Sequence, residues 1–316
     1  MNGITLVSVG KALPDRLVTN EDMAAIVDTS DEWISSRTGI STRYFCSESQ
    51  QSWQLAAQAA QQAIQQASVP VDQIGICITA TMSAPYATPS VSCLVQQELG
   101  LPQDMLCFDL NAACTGFVYA LETAAALLAV NPKPYALVIG CEALSKITDF
   151  SDRNTCVLFG DGAAAVLVQK SNSPFFSMHG AKGNNTSLVC GGYGSSKQHL
   201  AMDGKAVFRF AVESIPHCIQ QILQSANLTL NQIDYIVCHQ ANRRIIESVI
   251  RQMKAPAEKF YINLQHYGNT SAASIPLALV DMHQQNLLHS GAKLLCVGFG
   301  GGLTWGASLV CWNQNE

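Results

Sequence analysis

The chain has 316 residues, of which 48% are apolar and 13% charged, enough to bury a large core in one big domain or two. A net charge of −5 excludes general affinity for nucleic acid, and no apolar run reaches the roughly 18 residues that a membrane helix needs, so neither nucleic acid nor membrane is an expected partner. Twelve cysteines without a CxxC pair argue against a zinc site, a thioredoxin-like motif and a small disulfide scaffold, and the expected location is a reducing cytoplasm.

In chain order, Ile4 to Val9 is a short apolar run without a basic leader and reads as a strand rather than a signal peptide. Thr29-Ser30-Asp31-Glu32 has the Thr-x-x-Glu form of a capping box, which predicts a short helix carrying Trp33 and Arg37 on one face. An aromatic ring beside a guanidinium suits a flat, anionic ligand such as a nucleotide; a core tryptophan with a solvated arginine fits the same residues. Trp53 to Ala67 reads as an Ala/Gln-rich helix and Ile74 to Thr79 as a buried strand.

The chain is organised around Phe108 to Val130. Cys107, Phe108 and Leu110 have strand character, and Phe117, Leu121, Ala125 and Leu128 recur at helical spacing until Asn131-Pro132 stops the pattern. Cys114 is therefore expected at a helix N-terminus, where unpaired N–H groups and the helix dipole should lower its pKa from about 8.5 and favour the nucleophilic thiolate. Ala112, Ala113, Thr115 and Gly116 let a substrate come close. Because free cysteine is among the most buried residue types, a packing role competes with the nucleophile at this point.

Farther on, Cys156 to Leu158 and Ala164 to Val168 read as adjacent strands, Lys170 to Pro174 as a boundary, and Gly180 to Ser196 as a surface loop. Cys238 ends a strand that passes into a helix of Ile245, Ile246, Val249 and Ile250, so His239 falls at a strand C-terminus, the usual address of α/β active sites. Asn269 lies in a Gly-flanked turn before another helix. The clusters Phe159 to Gly162 and Gly298 to Gly306 lack the Gly-Lys-Ser/Thr ending of a phosphate loop. Beside Cys114, the Gly301 N–H would suit an oxyanion hole, a donor worth roughly 3 kcal/mol of barrier; tight hairpin turns explain the same glycines.

Self-similarity is more decisive. Asp72 to Thr79 recurs as Asn231 to Cys238, Ala136 to Gly140 as Leu294 to Gly298, and Gly162 to Val168 as Gly306 to Trp312, at offsets of 159, 158 and 144 residues. The chain thus reads as an α/β protein of two related halves, 1–172 carrying Cys114 and 173–316 carrying His239 and Asn269. Symmetry brings these three together as a thiolate to carry an acyl group and two donors to hold an enolate or oxyanion.

NAACTGF around Cys114, HQANRRI after His239, YGNTSAASIP around Asn269 and GFGGGLTWGA near the C-terminus resemble β-ketoacyl-acyl-carrier-protein synthase III, the initiating condensing enzyme of bacterial fatty-acid synthesis. The resemblance spans essentially the whole chain and implies a thiolase-like fold layered α-β-α-β-α. It also implies a two-stage reaction: Cys114 takes the acyl group of an acyl-CoA, then malonyl-acyl carrier protein loses CO2 while His239 and Asn269 stabilise the enolate. On the same resemblance Trp33, Arg37 and Arg153 hold CoA, Phe299 presses on the malonyl group, and Gly301 with the Cys114 N–H forms the oxyanion hole. The resemblance places Arg209 and Arg244 where they would dock the acidic carrier protein, and Arg251, seven residues or two helical turns beyond Arg244, should extend the same face. The implied assembly is a homodimer, and no cofactor is implied, since acyl-CoA is a substrate.

Two positions depart from the family pattern. Thr88 stands where a phenylalanine often reaches into the partner subunit's acyl pocket, which leaves the starter chain open, with Tyr86 as a possible filler; Ala164 replaces a common glycine. A same-fold enzyme of secondary metabolism, a non-catalytic partner subunit and a cysteine hydrolase are the competing readings.

Overall fold

The computed structural model describes residues 3–192 and 194–313. Strand β1 (Gly3–Ala12) leads to helices α1 (Asp31–Thr38) and α2 (Ser52–Ala67), strands β2 (Ile74–Ala80) and β3 (Leu106–Leu110), helix α3 (Gly116–Leu128), and strands β4 (Tyr135–Glu142) and β5 (Gly162–Ser171). There follow β6 (Phe176–Asn184), α4 (Gly204–Ala226), β7 (Tyr235–Cys238), α5 (Arg243–Met253), α6 (Ser274–Gln284), β8 (Lys293–Gly300) and β9 (Gly302–Trp312).

Both sets of strands pair in the same pattern. In the first, β2 is parallel to β3 and β4, while β5 runs antiparallel between β4 and β1. In the second, β7 is parallel to β8, and β9 runs antiparallel between β8 and β6. Thr5 pairs with Cys311 and Leu6 with Trp312, so the end of β9 joins β1 and nine strands form one hydrogen-bonded sheet with two lobes.

Strand periodicity explains the layers. Along β4, Ala136 and Val138 enter a central core while Leu137 and Ile139 enter an outer one, so both faces of the sheet are buried. Phe117, Leu121 and Leu128 of α3 and Ile275, Leu277 and Leu279 of α6 fill the central core between the lobes. Ala-rich α2 covers the outer face of the first lobe through Leu55, Ala56, Ala59 and Ala63. Ile215, Ile219 and Ile222 of α4, with Ile245, Ile246 and Val249 of α5, cover the second. The result is the expected sequence of five layers. No helix among the described residues is long and apolar enough to cross a membrane.

Three local expectations are corrected. The cap of α1 is Ser30, whose hydroxyl accepts from the Trp33 N–H, rather than Thr29. Cys156 to Leu158 is no strand: Asp152 caps a short helix, Arg153–Cys156, and the chain turns before Phe159. Gly180 to Ser196 begins as the end of β6, and Leu188–Val189 forms a short strand pairing with Ala201–Met202; Tyr193 lies outside the described residues. Its Gly/Ser composition hid pairings made to distant segments.

Candidate active site

Cys114 lies in a 3-10 turn, Ala113–Thr115, that runs directly into α3, with Ala113 held at φ +46°. The turn is clamped from β9. The Thr304 hydroxyl donates to the Gly301 carbonyl at 2.9 Å and lies 3.0 Å from the Thr115 hydroxyl, which in turn donates to the Thr304 carbonyl at 3.2 Å. Gly300 passes so close that a Cβ there would sit 2.9 Å from the Cys114 Cβ, which requires glycine. Gly301 lies one step along, with the corresponding point 3.5 Å from the Ala113 Cβ.

The expectation of a lowered thiol pKa does not hold for this resting structure. Cys114 is 6% exposed, and burial pushes its thiol up to about 12. The field of a helix end is worth about 1 kcal/mol, less than one pKa unit, so desolvation wins.

His239 follows β7 as expected and is anchored by its N–H to the Val297 carbonyl at 2.8 Å. Its Nδ1 lies 2.7 Å from Ser274 Oγ, which accepts from the Gln240 N–H at 3.3 Å. When the Ser274 hydroxyl donates to Nδ1, the ring proton sits on Nε2. Burial pulls the imidazole pKa down to about 3, so His239 is a neutral donor rather than an imidazolium. Phe299 packs edge-on against it, with ring centroids 5.1 Å apart.

Asn269 is fixed at its backbone: its N–H donates to the Leu158 carbonyl at 2.8 Å, and its carbonyl accepts from Gly160 at 3.0 Å. Because Oδ1 accepts from the Ser271 N–H at 2.9 Å, the side-chain NH2 remains for the cavity.

Cys114, His239, Asn269, Phe299 and Gly301 line one cavity of 1470 Å³, together with Trp33, Arg37, Arg209 and Arg244. The volume exceeds the roughly 300–1,000 Å³ of a drug-sized site and suits a long substrate. The guanidiniums of Arg37 and Arg153 lie 5.4 and 5.0 Å from the Trp33 ring centroid, and Arg153 is held by the Asp28 carbonyl at 2.8 Å. Arg244 donates to the Ser36 carbonyl near the end of α1, whereas Arg251 is exposed, bonds to Ser248 and does not line the cavity. Thr88 is also exposed and outside the cavity of its own chain. Leu188, Cys190, Asn154 and Phe208 line the cavity without having been singled out in the sequence.

The sequence pattern described as 3-oxoacyl-acyl-carrier-protein (ACP) synthase III matches residues 108–185, and that of its C terminal matches 223–312. A β-ketoacyl-acyl-carrier-protein synthase III of Clostridium acetobutylicum is 44% identical, the match covering 99% of this chain and 100% of that protein. The chain belongs to the synthase III family. The synthase III structure from Thermus thermophilus superposes with a TM-score of 0.94 at 36% identity, covering 98% of this chain and 100% of that one. A priming β-ketosynthase from a polyketide biosynthetic pathway is also similar, at 31% identity and a TM-score of 0.92 over 99% of this chain and 98% of that one. As a synthase III family member, the chain is an acyl-transferring condensing enzyme with a thiolase-like fold.

Proposed function

We propose that this chain performs the condensation of an acyl-CoA starter with malonyl-acyl carrier protein to give β-ketoacyl-acyl carrier protein, initiating fatty-acid synthesis through a thioester on Cys114. The observation that carries the reading is one cavity lined by a buried thiol, a neutral imidazole and an amide whose oxygen is already occupied. In the first stage Cys114 attacks the acyl-CoA carbonyl, the N–H groups of Cys114 and Gly301 hold the oxyanion, and CoA leaves. In the second, malonyl-acyl carrier protein loses CO2; Nε2–H of His239 and the Asn269 NH2 hold the enolate oxygen while its carbon attacks the acyl-Cys. No step calls for a cofactor.

Trp33, Arg37 and Arg153 form the CoA nucleotide platform in this proposal, Phe299 and Thr88 shape the malonyl and acyl ends, and Arg209, Arg244 and Arg251 receive the carrier protein. The enzyme works in the cytoplasm as a homodimer, with the halves dividing at residues 172 and 173. A priming role in secondary metabolism is the second reading, favoured by the likeness to the polyketide enzyme.

Intact-protein mass spectrometry after incubation with a panel of acyl-CoAs tests the first stage. Wild type is expected to gain one acyl group and Cys114→Ala none, while Cys114→Ala keeps some malonyl-acyl carrier protein decarboxylation and Asn269→Ala shows the reverse. Equal loss of both activities in both variants would falsify the division of labour, and the set of accepted starters separates the two metabolic readings.

A further inference from the structure

Ser271 combines two unusual features beside the nucleophile. It is a non-glycine residue at φ +48°, and its hydroxyl is buried without a hydrogen bond of regular geometry. Strained backbone and an unpaired buried hydroxyl each cost about 1–3 kcal/mol, so their coincidence on a cavity-lining residue calls for a function. Its turn, Ser271–Ala273, packs against the supports of two groups: a Cβ on Gly116, two residues past Cys114, would lie 3.5 Å from the Ala272 Cβ, and one on Gly140, two residues before Glu142, would lie 2.3 Å from the Ala272 carbonyl, which sets the Ser271 hydroxyl beside both the Cys114 thiol and the Glu142 carboxyl.

Glu142, at the end of β4, is fully buried. Its Oε2 accepts from the Ser83 hydroxyl at 2.5 Å and from the Met82 N–H at 3.2 Å, and the Ala143 N–H fixes Ser83 Oγ at 2.8 Å. The titratable groups that face it are the thiols of Cys114, Cys141 and Cys190, each held protonated by burial.

We propose that Ser271 and Glu142 form the route by which Cys114 gives up its proton during acylation, an inference that rests on the acyl-Cys reading above. As Cys114 Sγ bonds to the acyl carbonyl carbon, its proton passes to Ser271 Oγ and the Ser271 proton passes to the Glu142 carboxylate. When the tetrahedral adduct collapses, the bond from carbon to the CoA sulfur breaks. The proton returns from Glu142 through Ser271 to the departing CoA thiolate, so acyl-CoA and Cys114 thiol become acyl-Cys114 and CoA thiol with both residues restored. Burial raises the Glu142 carboxyl to about 7, the range that suits a proton acceptor at neutral pH. His239 is the poorer acceptor, its Nδ1 being engaged with Ser274 and its basicity suppressed to about 3.

Single-turnover acylation by acetyl-CoA, read as CoA release from about pH 5 to about pH 9, tests the route. In Glu142→Gln and Ser271→Ala, acylation is expected to slow by about 10²-fold, and Glu142→Gln should lose the rise in rate near pH 7 that wild type shows. Malonyl-acyl carrier protein decarboxylation, which uses His239 and Asn269, should stay within about threefold, and Ser271→Thr should restore part of the acylation rate. The route is overturned if acylation keeps its wild-type rate and pH profile in either variant, or if both half-reactions fall together. Should Glu142→Gln fail to fold, Ser271→Ala, which removes a hydroxyl alone, decides. Absence of acyl-Cys114 in wild type would instead sink the acyl-enzyme reading itself.

Discussion

Burial acts on His239 and Glu142 in opposite senses for stability. His239 has a folded value of about 3 against 6.5 when unfolded, so the unfolded chain binds the extra proton between these limits. Its contribution is present above pH 6.5 and is lost on acidification at about 1.4 kcal/mol per pH unit. Glu142 has a folded value of about 7 against 4.5 unfolded, so the folded chain binds the extra proton, and stability is lost as pH rises from 4.5 to 7. Between 4.5 and 6.5 the two slopes cancel. Glu142→Gln removes one of them, and its Tm should fall steadily relative to wild type from pH 6.5 down to 4.5 in calorimetry. A constant Tm difference across that window would show that these groups do not titrate as assigned. For Cys114, a thiol held at about 12 predicts alkylation by iodoacetamide that rises about tenfold per pH unit from neutrality to about pH 9 without a plateau. A plateau near neutrality would mean that the helix end, and not burial, governs the resting thiol.

At the scale of elements, the glycines that close the internal repeats meet the two functional turns crosswise. Gly140, ending the apolar run of β4, abuts the Ala272 carbonyl beside Asn269, where a Cβ would come to 2.3 Å. Gly298, its counterpart in β8, abuts Thr115 beside Cys114 at 3.0 Å. The recurrence of these runs was legible because strand period and glycine position are local; what each glycine touches was not, because the contact belongs to the other half. Leu188 was missed for the same reason: its pairing with Met202 leaves no periodic mark. The Cys114 environment failed differently, since a sequence shows a helix end but not the desolvation that overrides it. Gly300→Ala is expected to cost about 1–3 kcal/mol in denaturant unfolding and to lower acylation of Cys114, because the new methyl meets the turn itself; unchanged stability and acylation would contradict this packing. For the carrier-protein surface, Arg244 is a compromised probe, since it also supports the end of α1 that carries Trp33 and Arg37. Arg251→Glu is cleaner: it should raise KM for malonyl-acyl carrier protein and leave acylation from acyl-CoA near normal, with added salt weakening the wild-type step. If acylation suffers equally, the docking assignment fails.

At the scale of the whole molecule, an exposed Thr88 outside its own chain's cavity can gate the acyl site only across a subunit interface. Thr88→Phe is then expected to lower kcat/KM for hexanoyl-CoA by about tenfold while acetyl-CoA changes by less than about twofold. Sedimentation should give a particle of twice the 33.9 kDa chain. A monomer in solution, or an equal effect on both substrates, would remove Thr88 from the pocket. The crosswise seating of β8 and β9 on the Cys114 turn also orders events during synthesis. The thiol is translated well before the residues that flank it: His239, Asn269 and finally Gly300. Under the proposed acyl-Cys mechanism, a nascent or prematurely released chain thus carries Cys114 without the groups proposed to work with it, and cannot divert acyl groups from the CoA pool into dead-end thioesters by that mechanism. On that proposal, competence for acyl transfer waits for the closing strands, even though burial makes the folded thiol harder to ionise than the unfolded one.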